Sequence, residues 1–366
     1  MRGVEAGRVR YSRDVTTTPE TSGAAGATDT AGSDTAGTGI AGSELIGVGH
    51  YQPSRVVTND DLAKIVETND EWIQQRTGIV TRHLAADDET VADMAIQAAQ
   101  AALADAGITA AEVDLIVVAS CTATDRSPST AGRVSAALGA GRPAIFDINA
   151  ACSGFAHALA IADQAIRAGA ATTALVIGAE KLSDYTDWTD RTTCILVADA
   201  AGAFVIRRSD IRGVSDVTWG SEPELADAVR IVAPSLKFAQ EGKSVFKWAI
   251  SEAADIARAT VQTAGYQLAD IRALVAHQAN RRIIEPLARQ LGMENAIVAT
   301  DISESGNTSA ASIPMAFSKL WQAGELPADV PVLLYGFGGG FAYAGQVVRT
   351  PRRSRPSPTA VGAQSG

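Results

Sequence analysis

Short apolar runs alternate along this chain with longer Ala-rich stretches whose apolar positions recur every three or four residues. Residues 45–48, 113–119, 144–148, 174–178, 274–276, 297–300 and 332–335 have the length and composition of buried strands. Residues 91–106, 152–168, 245–264, 281–291 and 309–323 carry a helical period. Strands that alternate with helices of this kind predict α/β layers with largely parallel sheets.

The pattern also repeats. Ala106-Gly-Ile-Thr-Ala-Ala-Glu-Val-Asp-Leu-Ile-Val117 aligns with Ala264-Gly-Tyr-Gln-Leu-Ala-Asp-Ile-Arg-Ala-Leu-Val275. In each, a helix ends at Gly, a short turn follows and a strand begins. Asp147-Ile-Asn-Ala-Ala-Cys152 likewise aligns with Asp301-Ile-Ser-Glu-Ser-Gly306, and both halves close on a Gly/Ala-rich hairpin, at residues 198–203 and 336–340. A duplicated core with a pseudo-two-fold centre follows.

The ends break the pattern. Residues 15–43 are almost entirely Thr, Ala, Gly, Ser and Asp. Such a stretch cannot bury enough surface to offset its ordering entropy, so residues 1–43 are expected to be a disordered arm. Residues 350–366, rich in Pro, Ser and Arg, are expected to be a disordered tail. The folded body then divides into an N-terminal half, 44–208, and a C-terminal half, 209–349.

Composition narrows the function. With 366 residues, 46% apolar and 20% charged, the chain has the make-up of a globular protein with a sizeable core. No apolar run is long enough to span a bilayer and no secretory signal is visible, so no membrane association and a cytoplasmic location are expected. A net charge of −10 argues against nucleic acid. Cys121, Cys152 and Cys194 have no paired spacing and read as free thiols. No histidine has metal-ligand spacing with them, so no metal site is expected.

Three segments carry the candidate chemistry: Asn149-Ala-Ala-Cys-Ser-Gly-Phe155, His277-Gln-Ala-Asn-Arg-Arg-Ile283 and Gly306-Asn-Thr-Ser-Ala-Ala-Ser312. Each follows a strand-like run, where an α/β fold places its working residues. One thiol able to carry an acyl group, with two neutral hydrogen-bonding side chains, suits carbon–carbon bond formation from thioesters. A protease-like site would need a carboxylate or amide to orient the histidine beside the thiol. A helix starting at or just after Cys152 would favour its thiolate. Cys121 and Cys194, in apolar strand contexts, read as structural, as do His50, His83 and His157.

Taken with Gly336-Phe-Gly-Gly-Gly340 and Asp70-Glu-Trp-Ile-Gln-Gln-Arg-Thr-Gly78, these motifs resemble, in order and over roughly residues 44–349, β-ketoacyl-acyl-carrier-protein synthase III. These are the initiating condensing enzymes of the thiolase superfamily. The resemblance implies an α/β, thiolase-like duplicated αβαβα layered fold with two mixed sheets, assembled as a homodimer. It implies that Cys152 takes the acyl group from acyl-CoA. His277 and Asn307 would then donate hydrogen bonds to the thioester carbonyl of a malonyl extender on acyl carrier protein, where charge develops as decarboxylation leaves an enolate. Cys152 and Gly339 would supply the oxyanion-hole N–H groups, and Phe337 would line the pocket. Trp72 and Arg76 would clasp the coenzyme A adenine between an aromatic ring and a guanidinium, with Phe246 at the same site. Arg282 would contact the carrier protein, with Arg281, Arg289, Lys237, Lys243 and Lys247 extending a local basic patch. No cofactor beyond the substrates is implied.

Three features depart from the family pattern. Ala198-Asp-Ala-Ala-Gly-Ala203 replaces a hairpin usually richer in glycine. Ser127 stands before Pro128 where some relatives have a Phe that reaches into the partner subunit's acyl pocket, so Asp125-Arg-Ser-Pro128 is more similar to the branch that primes polyketide synthases with larger starters. The long N-terminal arm has no counterpart. The alternative on the same scaffold is acyl transfer to an alcohol or amine without decarboxylation. Asn307, an enolate donor that such a reaction needs less, favours condensation.

Overall fold

The computed structural model describes residues 42–352, so most of the expected arm and tail lie outside the described residues. In chain order the strands are β1 (Gly42–Tyr51), β2 (Arg55–Thr58), β3 (Thr81–Leu84), β4 (Leu115–Ala119), β5 (Ala144–Ile148), β6 (Thr173–Lys181) and β7 (Asp199–Ser209) in the first half. The second half has β8 (Thr218–Ser221), β9 (Val229–Val232), β10 (Lys237–Gln240), β11 (Ala273–Ala276), β12 (Ile297–Val298), β13 (Pro331–Phe337) and β14 (Ala342–Arg349).

The duplication is visible in the strand order. One five-stranded sheet runs β1-β7-β6-β4-β5 and the other, read in the same sense, β8-β14-β13-β11-β12. In both, the first two pairings are antiparallel and the last two parallel. The sheets are therefore mixed rather than largely parallel, because a hairpin (β6–β7, β13–β14) closes each half.

Helices Gly154–Arg167 and Ser312–Gln322 form the layer between the sheets. Phe155 and Phe317 each meet Phe204 of β7 edge-to-face at 4.9 Å, so one apolar core spans both halves. Helices Val91–Ala106 and Thr130–Leu138 cover the outer face of the first sheet. Ala253–Thr263 and Arg281–Gln290 cover that of the second, completing an αβαβα stack. Among the described residues no helix is long and apolar enough to cross a membrane.

Several boundaries differ from expectation. Ser43, assigned to the arm, is buried in β1 and its hydroxyl donates to Asp163 at 2.8 Å. Thr350, assigned to the tail, is buried and its hydroxyl donates to the Pro327 carbonyl. The segment 245–264 is two helices, Gly242–Ser251 and Ala253–Thr263, meeting at Glu252. That break lets Trp248 turn onto Phe337 and Phe341, at ring distances of 5.3 and 4.8 Å. The strand at 297–300 is only Ile297–Val298.

Candidate active site

Cys152 sits at the centre of the molecule, just beyond β5. The chain leaves that strand through a tight turn, Ala151–Ser153, before the helix Gly154–Arg167 begins. Ala151 adopts a left-handed φ of +44°, a strained setting for a residue with a Cβ. Facing it is the glycine run after β13. A Cβ on Gly338 would lie 2.6 Å from the Cys152 Cβ and 2.8 Å from its sulfur, so only glycine permits this approach. The backbone N–H groups of Gly339 and Cys152 lie close enough to the sulfur to favour its thiolate. Two neighbouring N–H groups are what an acyl oxyanion needs.

Burial and hydrogen bonding act on this thiol in opposite directions. Burial pushes the Cys152 thiol up to about 11. The Ser309 hydroxyl and the two N–H groups pull the other way and do not overcome it. The Cys152 N–H, at the start of the helix, acts in the expected direction, toward the thiolate, and burial acts against it.

His277 follows β11, buried, and desolvation lowers its imidazole to about 3. It is neutral at physiological pH. Its Nδ1 lies 2.8 Å from the Ser312 hydroxyl, which also receives the Gln278 N–H at 3.3 Å. We assign the Ser312 proton to Nδ1, which leaves Nε2–H as a hydrogen-bond donor. Asn307 is oriented in a related way. Its Oδ1 accepts the Ser309 N–H at 2.9 Å, so its NH₂ group remains to donate.

Three adjoining cavities share these residues. The innermost, about 260 Å³, is walled by Cys121, Cys152, Leu182, Val229, Ile231, Phe238, Asn307 and Ser309, among others. A middle cavity of about 120 Å³ holds Cys152, His277, Asn307, Phe337, Phe246 and Asn280. The outer one, about 470 Å³, shares Phe246 and Asn280 with the middle and opens between Trp72, Arg76, Arg191, Lys243 and Arg282. The cavities adjoin through shared lining residues, from a basic, aromatic mouth to a largely apolar inner chamber, with Cys152 in the walls of the inner two.

The family models for 3-oxoacyl-[acyl-carrier-protein] synthase III match residues 146–223 and, for its C-terminal part, 261–350. A β-ketoacyl-[acyl-carrier-protein] synthase III of Streptomyces avermitilis is 56% identical over 312 residues, covering 84% of this chain and 99% of the relative. The chain belongs to the β-ketoacyl-acyl-carrier-protein synthase III family. Solved structures agree. The priming β-ketosynthase of the R1128 polyketide pathway superposes with a TM-score of 0.81 at 37% identity, covering 84% of this chain and 96% of that one. The 3-oxoacyl-[acyl-carrier-protein] synthase III of Aquifex aeolicus gives a TM-score of 0.81 at 41% identity, covering 84% and 100%.

In this synthase III chain, the structure brings Cys152, His277, Asn307, Gly339 and Phe337 together. Trp72, Arg76, Phe246 and Arg282 gather at the outer mouth. Arg76 lies 4.7 Å over the Trp72 ring and Arg282 5.6 Å over Phe246. The helix Asp70–Thr77 holds Trp72 and Arg76 in place, capped by Asn69, whose Oδ1 accepts the Trp72 N–H at 2.8 Å. Ser127 is not in the cavity wall of its own chain; it is exposed on the loop before Thr130–Leu138.

Other residues escaped the sequence reading. Arg191 also lies over the Trp72 ring, at 5.0 Å, although only an ordinary Asp-Arg pair marks it in the sequence. Cys121 lines the cavity and is bonded through its thiol and N–H to Glu180. Val229 and Ile231 of β9 and Phe238 of β10 wall the inner cavity; their short apolar alternation was the only available signal.

Proposed function

We propose that this chain joins an acyl-CoA starter to malonyl-acyl-carrier protein by decarboxylative Claisen condensation, initiating fatty acid or polyketide chains. Cys152 is the nucleophile: its sulfur attacks the starter thioester, the Gly339 and Cys152 N–H groups hold the oxyanion, and coenzyme A departs. The malonyl thioester carbonyl then takes Nε2–H of His277 and the NH₂ of Asn307. Carbon dioxide leaves, the enolate is stabilised by those two donors, and its carbon attacks acyl-Cys152. The observation that carries this reading is the pair of neutral, oriented donors beside a thiol that has two N–H groups close to it. Loss of carbon dioxide drives the bond formation, so the reaction asks for no further cofactor.

Trp72, Arg76 and Phe246 suit the coenzyme A end of these cavities, where a flat base stacks on an aromatic ring under a guanidinium. Arg282, exposed at the same mouth, suits an acidic carrier protein. The inner cavity points to starters larger than acetyl. The free edge of β5, with Ile145 43% exposed, suits pairing with a second copy about a two-fold axis. Asp147 of β5 accepts the Thr130 and Ala131 N–H groups at 2.7 and 2.8 Å, which ties the start of the helix after the Ser127 loop to that edge, where the partner in such a dimer would meet it.

Intact-mass measurement with a panel of acyl-CoAs tests the core of the proposal. One acyl adduct is expected on the wild type, on Cys121→Ala and on Cys194→Ala, and none on Cys152→Ala. An adduct on Cys152→Ala would remove the nucleophile assignment. Sedimentation of the full chain as a monomer would remove the homodimer.

A further inference from the structure

Glu180 is fully buried near the end of β6, where it is bonded to Cys121 and Ser309, two residues of the inner cavity wall. No cation pairs with it among the described residues. Lys181, its neighbour in sequence, turns its ammonium to the Ala86 and Asp87 carbonyls at 2.9 and 3.2 Å. Instead the Glu180 carboxylate is held by neutral donors. Oε2 accepts from the Thr122 hydroxyl at 2.5 Å, the Ser120 hydroxyl at 3.2 Å and the Cys121 N–H at 3.1 Å. Oε1 accepts from the Ser309 hydroxyl at 3.0 Å and the Cys121 thiol at 3.3 Å.

Ser309 is the link to the chemistry. It lines the inner cavity with Cys152, and its hydroxyl is the group that most offsets the effect of burial on the Cys152 thiol. It is held at a left-handed φ of +47°, a conformation that costs energy and that the Asn307 and Glu180 contacts sustain. A thiol raised by burial needs a route for its proton before it attacks. His277 is aimed by Ser312 to donate, and so does not offer that route.

We propose that Ser309 and Glu180 form a proton relay for Cys152. This rests on the reading of Cys152 as the nucleophile. As the sulfur bonds to the thioester carbonyl carbon, its proton passes to Ser309 Oγ, and the Ser309 proton passes to Glu180 Oε1. When the carbon–sulfur bond to coenzyme A breaks, the leaving sulfur keeps the bonding pair and takes a proton from Ser309, which Glu180 refills. The carboxylate begins and ends ionised. Ser309 shares the cavity wall with the reacting thiol, and Glu180 acts through Ser309. Burial raises the Glu180 carboxyl above its ordinary range, the direction that makes a carboxylate a better base. The titratable groups facing it are Cys121, Cys152 and Tyr185.

The test is single-turnover acylation of the full chain by an acyl-CoA, read by quenched intact mass from pH 6 to 9.5, with the modified residue mapped. Glu180→Gln keeps the shape but cannot take the proton. General acid–base catalysis contributes about 100- to 10,000-fold, so Glu180→Gln should acylate at least about 100-fold slower at pH 7. The deficit should shrink as pH rises and hydroxide replaces the relay. Ser309→Ala, which leaves Glu180 its bonds to Thr122 and Ser120, should show the same pH-dependent loss and serves if Glu180→Gln fails to fold. Acylation within threefold of wild type, faster acylation from removal of a negative charge, or a loss constant across pH would each overturn the relay. A wild-type adduct that maps elsewhere than Cys152 would overturn the nucleophile reading as well.

Discussion

The two halves have the same strand order, yet equivalent positions do different work. Ala119 of β4 lies opposite Gly178 of β6, as Ala276 of β11 lies opposite Tyr335 of β13. Stepping one residue past the first strand of each pair reaches Ser120 in one half and His277 in the other. Two residues on from Gly178 and Tyr335, still within β6 and β13, lie Glu180 and Phe337. The turn after β5 gives Cys152, and the matching stretch after β12 gives Gly306 and Asn307. Duplication thus supplied two sets of strand ends around one centre. The first half sets its thiol near polar supports, and the second adds neutral donors and an aromatic wall. A pseudo-symmetric scaffold need not produce a symmetric site.

That division can be broken from either side, and the largest effect is expected in the second half. Asn307→Ala or His277→Ala should lose on the order of 100- to 1000-fold in malonyl decarboxylation, the usual cost of one oxyanion donor. Acylation at Cys152 should persist, as seen by intact mass. Near wild-type condensation by Asn307→Ala would shift the balance to simple acyl transfer.

Gly338→Ala crosses the boundary. Its Cβ would press on the Cys152 side chain at 2.6 Å, so acylation should fall about tenfold or more, and stability by about 1–3 kcal/mol as in other overpacked cores. Unchanged acylation kinetics and melting temperature would mean that the glycine run and the thiol do not meet this closely.

Ser127→Phe should alter choice of starter without altering decarboxylation. A methylene in an apolar pocket is worth roughly 1–3 kcal/mol in discrimination, so kcat/KM for four-carbon or branched acyl-CoAs should drop about tenfold more than for acetyl-CoA. Equal losses across the series, or a wild type that accepts acetyl-CoA alone, would refute a partner-facing Ser127.

The smallest effect concerns His50, which packs against Ser318 at 2.9 Å, away from the thiol. Burial and then Lys319 lower its imidazole to about 4. The unfolded chain, with an ordinary value near 6.5, binds more protons than the folded one between those two pH values. Stability from this group is therefore lost as pH falls through that window. His50→Gln should show a smaller drop in melting temperature between pH 7 and 4.5 than wild type; an equal or larger drop would contradict the assignment.

Much of this was legible in sequence because it depends on local pattern. The repeat at Ala106 and Ala264 marks equivalent helix ends, and the Cys152, His277 and Asn307 motifs each follow a strand. What escaped depends on distance in space. Glu180 lies inside an apolar run and acquires meaning only when Ser309, 129 residues later, folds against it. Cys121 looks like any strand cysteine until that same contact forms. Arg191 is defined by Trp72, on a helix far earlier in the chain. The thiol's acidity turned on burial, which no helix-start argument can weigh.

The three adjoining cavities have a consequence for timing. With both thioesters reaching Cys152 through the mouth at Trp72 and Arg282, as proposed, the middle section, about 120 Å³, would be a throat that holds one carrier arm at a time. The first carrier would then have to withdraw before the second could advance. A queue of this kind enforces ping-pong kinetics, with parallel double-reciprocal plots. It also makes surplus starter thioester an inhibitor that competes with the extender for an empty throat.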